Sequence, residues 1–92
     1  MPRVKVKLYA RFRDIADEGE LVVESQRVSE LIDILTEKFG EKFRKELLDK
    51  DGKLRPFHNI LVNGVRIDPS KKFGTKLRKD DVIAFFSPVG GG

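Results

Sequence analysis

Three features of the sequence predict an α+β domain, a mixed sheet of four to five strands with one main helix packed across it and a second, short helix. Val4, Val6 and Leu8 alternate with Lys5, Lys7 and Tyr9, the period-two pattern of a strand covered on one face. Val28, Leu31, Ile32, Leu35 and Phe39 recur at i, i+3, i+4, i+7 and i+11, which draws one apolar stripe along a helix. Val82-Ile83-Ala84-Phe85-Phe86 is apolar on both faces, which is what a central strand looks like.

The remaining elements follow in chain order. Arg11 to Gly19 turns the chain, and Leu21-Val22-Val23 supplies a second strand, near enough in sequence to pair antiparallel with the first. Ser25 or Ser29 is placed to cap the main helix, and Gly40 to end it in a left-handed conformation. Glu41 to Leu48 forms the short helix, with Phe43, Leu47 and Leu48 turned inward, and Asp51-Gly52 marks a turn. Ile60 to Ile67 reads as a tight hairpin, because Asn63-Gly64 tolerates the two positive φ angles of a type I′ turn. A polar loop through Asp68-Pro69-Ser70 and Lys79-Asp80-Asp81 then leads to the last strand. A right-handed crossover returns the later strands beside the first. This order makes a β-grasp. Val4, Val6, Leu8, Ile83 and Phe85 are expected under the helix, and Tyr9 and Phe86 on the open face beside Lys5 and Lys7. An aromatic pair ringed by lysines is a candidate docking surface.

Composition narrows the function. Ninety-two residues suffice for one modest core, but not for a core plus a cofactor cavity. With no cysteine in the chain there is no disulfide framework, thiolate nucleophile or zinc cluster, which fits a reducing cytoplasm. The alternating start, Pro2 to Lys7, is neither a signal peptide nor a membrane span. A net charge of +4 comes from 19 basic and 15 acidic residues mixed along the chain, so no basic stripe with interleaved aromatics marks a nucleic-acid site. Charged residues make up 37% of the chain, against only Gln26, Asn59 and Asn63 as amides, a bias of proteins from hot environments. His58 stands without a cysteine or second histidine to share a metal, so it reads as structural or solvent-facing. Asp80-Asp81 reads as a turn, and Lys72-Phe73-Gly74-Thr75 lacks the glycine spacing of a phosphate loop.

The chain ends Ser87-Pro88-Val89-Gly90-Gly91-Gly92. Glycine lacks a Cβ and adopts most backbone conformations, so such an arm can thread a slot too narrow for any side chain. The reactive group it delivers is the α-carboxylate of Gly92. The sequence therefore divides into a domain over 1–89 and a flexible glycine tail over 90–92, and its own terminus is read as the substrate.

Three stretches carry a family resemblance: Val6-Lys7-Leu8-Tyr9-Ala10-Arg11-Phe12-Arg13-Asp14, then Val62-Asn63-Gly64, and above all Asp80 to Gly92. With these, the sequence resembles the ubiquitin-like sulfur carriers of the MoaD/ThiS family, most closely the small subunit of molybdopterin synthase and, near it, the archaeal ubiquitin-like modifiers. The resemblance implies no catalysis by this chain alone and no bound cofactor. An E1-like adenylating enzyme (MoeB-like) would use Mg-ATP to convert the Gly92 carboxylate to an acyl-adenylate. A sulfur donor would displace AMP, leaving a thiocarboxylate. The large subunit of molybdopterin synthase (MoaE-like) would then take up the tail and pass its sulfur to a pyranopterin. By position, the resemblance makes Gly90 and Gly91 the threading residues and Gly92 the acyl donor. Tyr9 and Phe86 fall on partner-facing aromatics, and Arg13 on a basic position that contacts the activating enzyme. Ser87 stands where a proline is usual, Arg66 where an apolar residue is expected, and Glu41 to Phe57 is longer than in the bacterial subunit. Conjugation through Gly92 to lysines of other proteins shares this activation and is the alternative reading.

Overall fold

The computed structural model describes residues 1–68 and 73–86. Within them the chain forms β1 (Arg3–Leu8), α1 (Ala10–Ala16), β2 (Glu20–Glu24), α2 (Val28–Phe39), α3 (Glu41–Leu47), β3 (Asn59–Val62), β4 (Val65–Arg66) and β5 (Val82–Phe86). The strands make one sheet in the order β2-β1-β5-β3-β4. β1 and β5 run parallel, with Leu8 beside Phe85, and every other pairing is antiparallel. The doubly apolar run thus occupies the centre of the sheet, as its sequence predicts. Helices cover one face. Val4, Val6, Leu8, Ile83 and Phe85 are buried there with Val28, Leu31, Ile32 and Leu35 of α2 and Phe43 and Leu47 of α3.

Four local expectations are corrected. Arg11 to Gly19 is not a simple turn but contains α1, whose Phe12 and Ala16 are buried. The helix closes on Asp17 at φ 58 and ψ 29, with its N–H donating to the Arg13 carbonyl. Neither Ser25 nor Ser29 caps α2. Its N-cap is Arg27, and the first amides, Val28 and Ser29, donate instead to the carbonyls of Thr75 (3.1 Å) and Phe73 (3.0 Å). A distant segment thereby satisfies donors that every helix start leaves open. The same contact explains why the loop is less polar than its flanks suggest, since Phe73 and Leu77 are buried in it. Gly40 does end α2, but at φ 91 and ψ 175, outside the left-handed helical region and in one that only glycine enters readily.

The other elements form as expected. Asn63 and Gly64 take φ values of 51 and 83, the two positive angles that a tight hairpin turn requires. Asp49 accepts from the amides of Asp51 and Lys53; those backbone bonds, aided by Lys53 and Arg55, hold its carboxyl below the usual range.

Candidate functional site

Because β1 and β5 are parallel and in register, both finish at the same end of the sheet. The Tyr9 amide donates to the Phe85 carbonyl at 3.1 Å, which holds Tyr9 against the last residue pair of β5. Alternation along β5 turns Phe85 into the core and leaves Phe86 half-buried on the other face. The Tyr9 and Phe86 rings meet edge to face, their centroids 6.4 Å apart at 81°, a favourable aromatic geometry. Tyr9 remains 46% exposed. Lys5 and Lys7 extend the same open face, Lys5 in an ion pair with Glu20 at 3.3 Å. Half-exposed pairs of that kind contribute little stability.

Arg13 lies on the exposed side of α1, close after Tyr9 in the chain. It packs across Gly19, where an added Cβ would sit 3.5 Å from its Nε. The Gly19 carbonyl accepts from the Leu8 amide, so Arg13 belongs to the end of the sheet that carries Tyr9 and Phe86. Of the residues singled out in the sequence, the structure sets Tyr9 and Phe86 in ring contact and places Arg13 against Gly19 near the same end of the sheet. Gly90, Gly91 and Gly92 lie outside the described residues.

Sequence reasoning missed a neighbouring polar network. His58 is buried, and its Nε2 lies 2.7 Å from Glu46 Oε2. The other carboxylate oxygen, Oε1, accepts from Arg11 Nε at 2.6 Å. Burial alone would push the Glu46 carboxyl up, but hydrogen bonds from Arg11 and His58 and the charge of both outweigh it, and its pKa falls below the usual range. Both oxygens are thus committed to structure. His58 is no solvent-facing residue. It joins α1, α3 and the turn before β3. Asp81 is likewise occupied, accepting from Asn63 Nδ2 and from the Arg78 amide at 2.8 Å each, so Asp80-Asp81 shapes the entry to β5. Arg66 is exposed on the short edge strand β4 and donates to Asn59 at 2.6 Å, which explains how a cation fits a position expected to be apolar. The cavity beside this network is lined by Arg11, Asp14, Ile15, Lys42, Lys45 and Glu46, and both oxygens of Glu46 are already held by Arg11 and His58.

Comparison with known proteins decides the family. The sequence pattern of the ThiS family matches residues 6–92. The chain belongs to the ThiS family. A candidate sulfur carrier protein of Archaeoglobus fulgidus is 31% identical to it over 91 residues, covering 97% of this chain and 98% of that protein. The solution structure of small archaeal modifier protein 1 from Methanosarcina acetivorans is 32% identical with a TM-score of 0.82, covering 100% of this chain and 98% of the other. A candidate molybdopterin converting factor subunit 1 from Pyrococcus furiosus is 34% identical with a TM-score of 0.74, covering 97% and 100%. Both the β-grasp and the resemblance to the MoaD/ThiS proteins are borne out. In this ThiS-family chain, as the matched range shows, the similarity runs through β5 into the glycine tail.

Proposed function

We propose that this protein is a sulfur carrier whose Gly92 carboxylate becomes a thiocarboxylate that donates sulfur in molybdopterin biosynthesis. Membership of the ThiS family over residues 6–92, glycine tail included, is the observation that carries this reading. The similarity to a candidate molybdopterin converting factor subunit supports the choice of pathway. A carboxylate is a poor acyl donor, because its oxide is a bad leaving group and its charge repels nucleophiles. Attack of the Gly92 carboxylate on the α-phosphorus of Mg-ATP, at an E1-like adenylating enzyme, releases pyrophosphate and leaves an acyl-adenylate. A sulfide-level donor then adds to the acyl carbon and AMP departs with the electron pair of the broken C–O bond. The partner supplies the nucleotide site and the acid–base groups. This chain supplies the acyl terminus, threaded through Gly90 and Gly91, and the docking edge of Tyr9, Phe86 and Arg13. Its second partner is the molybdopterin synthase large subunit, and its setting is the cytoplasm.

The likeness to small archaeal modifier protein 1 favours a second reading, conjugation through Gly92 to lysines of target proteins. Mass spectrometry of the protein from its native cells separates the two. A carrier shows one terminal oxygen replaced by sulfur. A modifier yields, after trypsin, a branched peptide whose side arm runs from Asp80 to Gly92, since Lys79 is the last cleavage site. A terminus that carries neither mark contradicts both.

A further inference from the structure

Phe57 has no role in the chemistry proposed above, yet it stands 54% exposed on a turn that is fixed in place. The His58 amide closes that turn on the Arg55 carbonyl at 3.1 Å. One exposed phenylalanine is common in soluble proteins; the support beneath this one is not. The buried His58 ring lies 4.7 Å from Phe57 and 4.8 Å from Phe12, edge to face with each. Its Nε2 contacts Glu46, which in turn holds Arg11. The turn is thereby tied to α1 and α3. An aromatic ring held on a pinned base loses little freedom when a partner covers it.

Its location matters as much. Asn59 pairs with Phe86, so the turn just before β3 stands at the end where β5 finishes. Tyr9 follows β1 at that end too. Three aromatics, from three separate segments, thus stand at the end of the sheet where the chain leaves it. Large aromatic anchors carry a disproportionate share of interface energy. Gly92 follows Phe86 by six residues, and fully extended they span about 20 Å at most. The site that acts on Gly92 therefore lies within that distance of the end of β5, and the partner's surface around it faces this end of the sheet. The sulfur-carrier and modifier readings share one such partner, the enzyme that adenylates Gly92.

We infer that the Arg55–His58 turn is a third docking anchor, with Phe57 as its contact residue at the same end of the sheet as Tyr9 and Phe86, and that its occupant is an apolar pocket on the adenylating enzyme that receives the tail. The inference rests on the reading of Gly92 as the adenylated residue. Arg11, Glu46 and His58 act as positioning residues for the turn.

The test uses the full chain with the E1-like adenylating enzyme of the same genome and follows ATP–pyrophosphate exchange against carrier concentration. Phe57→Ser is expected to raise the KM for the carrier about tenfold, equivalent to about 1.4 kcal/mol. Its kcat stays unchanged, because Phe57 touches no reacting atom. Phe57→Tyr restores the wild-type KM and keeps the thermal midpoint, and Phe57→Ser, which gives up the edge-to-face contact with His58, lowers the midpoint only slightly because the ring is half exposed. Phe57→Gln gives the same KM effect if the serine variant folds poorly. A wild-type KM in both polar variants overturns the inference while leaving the adenylation reading intact. A normal KM with slowed sulfur delivery to the acceptor assigns the turn to that acceptor and also overturns it. Self-association of the wild type that Phe57→Ser abolishes would give the surface to a second copy and would overturn it as well. No exchange by the wild-type chain removes the adenylation reading and the inference with it.

Discussion

Where β1 and β5 begin, the sheet is closed by hydrogen bonds; where both strands finish, aromatic rings stand in the open. At the closed end the Asn63 amide donates to the Val82 carbonyl at 2.8 Å, and the Asn63 side chain accepts from the Val82 amide at 2.9 Å. Asp81 accepts from Asn63 and Arg78 through its side chain and from the Lys5 amide through its carbonyl. The open end has Tyr9, Phe57 and Phe86. Polar groups at the closed end satisfy one another, so it serves stability. The open end leaves apolar surface in water, which is unfavourable for an isolated domain and useful for one that docks. Hydrogen-bonded turns thus mark one end of these two strands, with Val65 the exposed apolar residue of the hairpin there, and aromatic rings mark the other, the end proposed to dock.

The contrast is sharpest between adjacent residues, Phe85 and Phe86. Phe85→Ala empties a fully buried position packed against Phe12 and Phe43 and is expected to cost about 3–5 kcal/mol in urea unfolding. At the closed end, Asn63→Ala removes the two side-chain hydrogen bonds of an exposed turn and puts alanine at a positive φ. Its expected cost is about 1–2 kcal/mol, with partner affinity unchanged by titration calorimetry. Phe86→Lys gives up the Tyr9 contact from a half-buried site. It should cost about 1 kcal/mol or less in stability while weakening docking to the adenylating enzyme. Loss of folding in that variant would mean that Phe86 belongs to the core.

The smallest expected effect is electrostatic. Glu46 titrates lower in the folded protein than in the unfolded chain. Its stabilising contribution is therefore complete above the ordinary carboxylate range and is lost as pH falls through the folded value. The stability difference between wild type and Glu46→Gln should narrow as urea titrations move from neutral to acid pH. A difference that stays constant would show that the network contributes through packing alone.

Elements with strong local signals were legible in the sequence. The α2 stripe, the alternation of β1, the doubly apolar β5 and the Asn63-Gly64 hairpin each carry their pattern within a few residues. α1 was missed because seven residues with three charges give a weak stripe, although Phe12, Ile15 and Ala16 do fall at helical spacing. The α2 cap could not be read, since its acceptors Phe73 and Thr75 lie more than forty positions away. The support beneath Phe57 was hidden for the same reason. Glu46 is 12 residues from His58 and 35 from Arg11, and no periodicity links them. Tyr9 and Phe86 were legible through strand alternation. Phe57 sits on a turn, where alternation gives no direction.

The central claim is that the glycine arm ends in the group a partner activates. Its most direct measurement is ATP–pyrophosphate exchange by the E1-like adenylating enzyme with the full chain and with a chain ending at Gly91. The expected result is exchange with the full chain and none with the shortened one, at identical thermal midpoints. Equal exchange from both chains would contradict it.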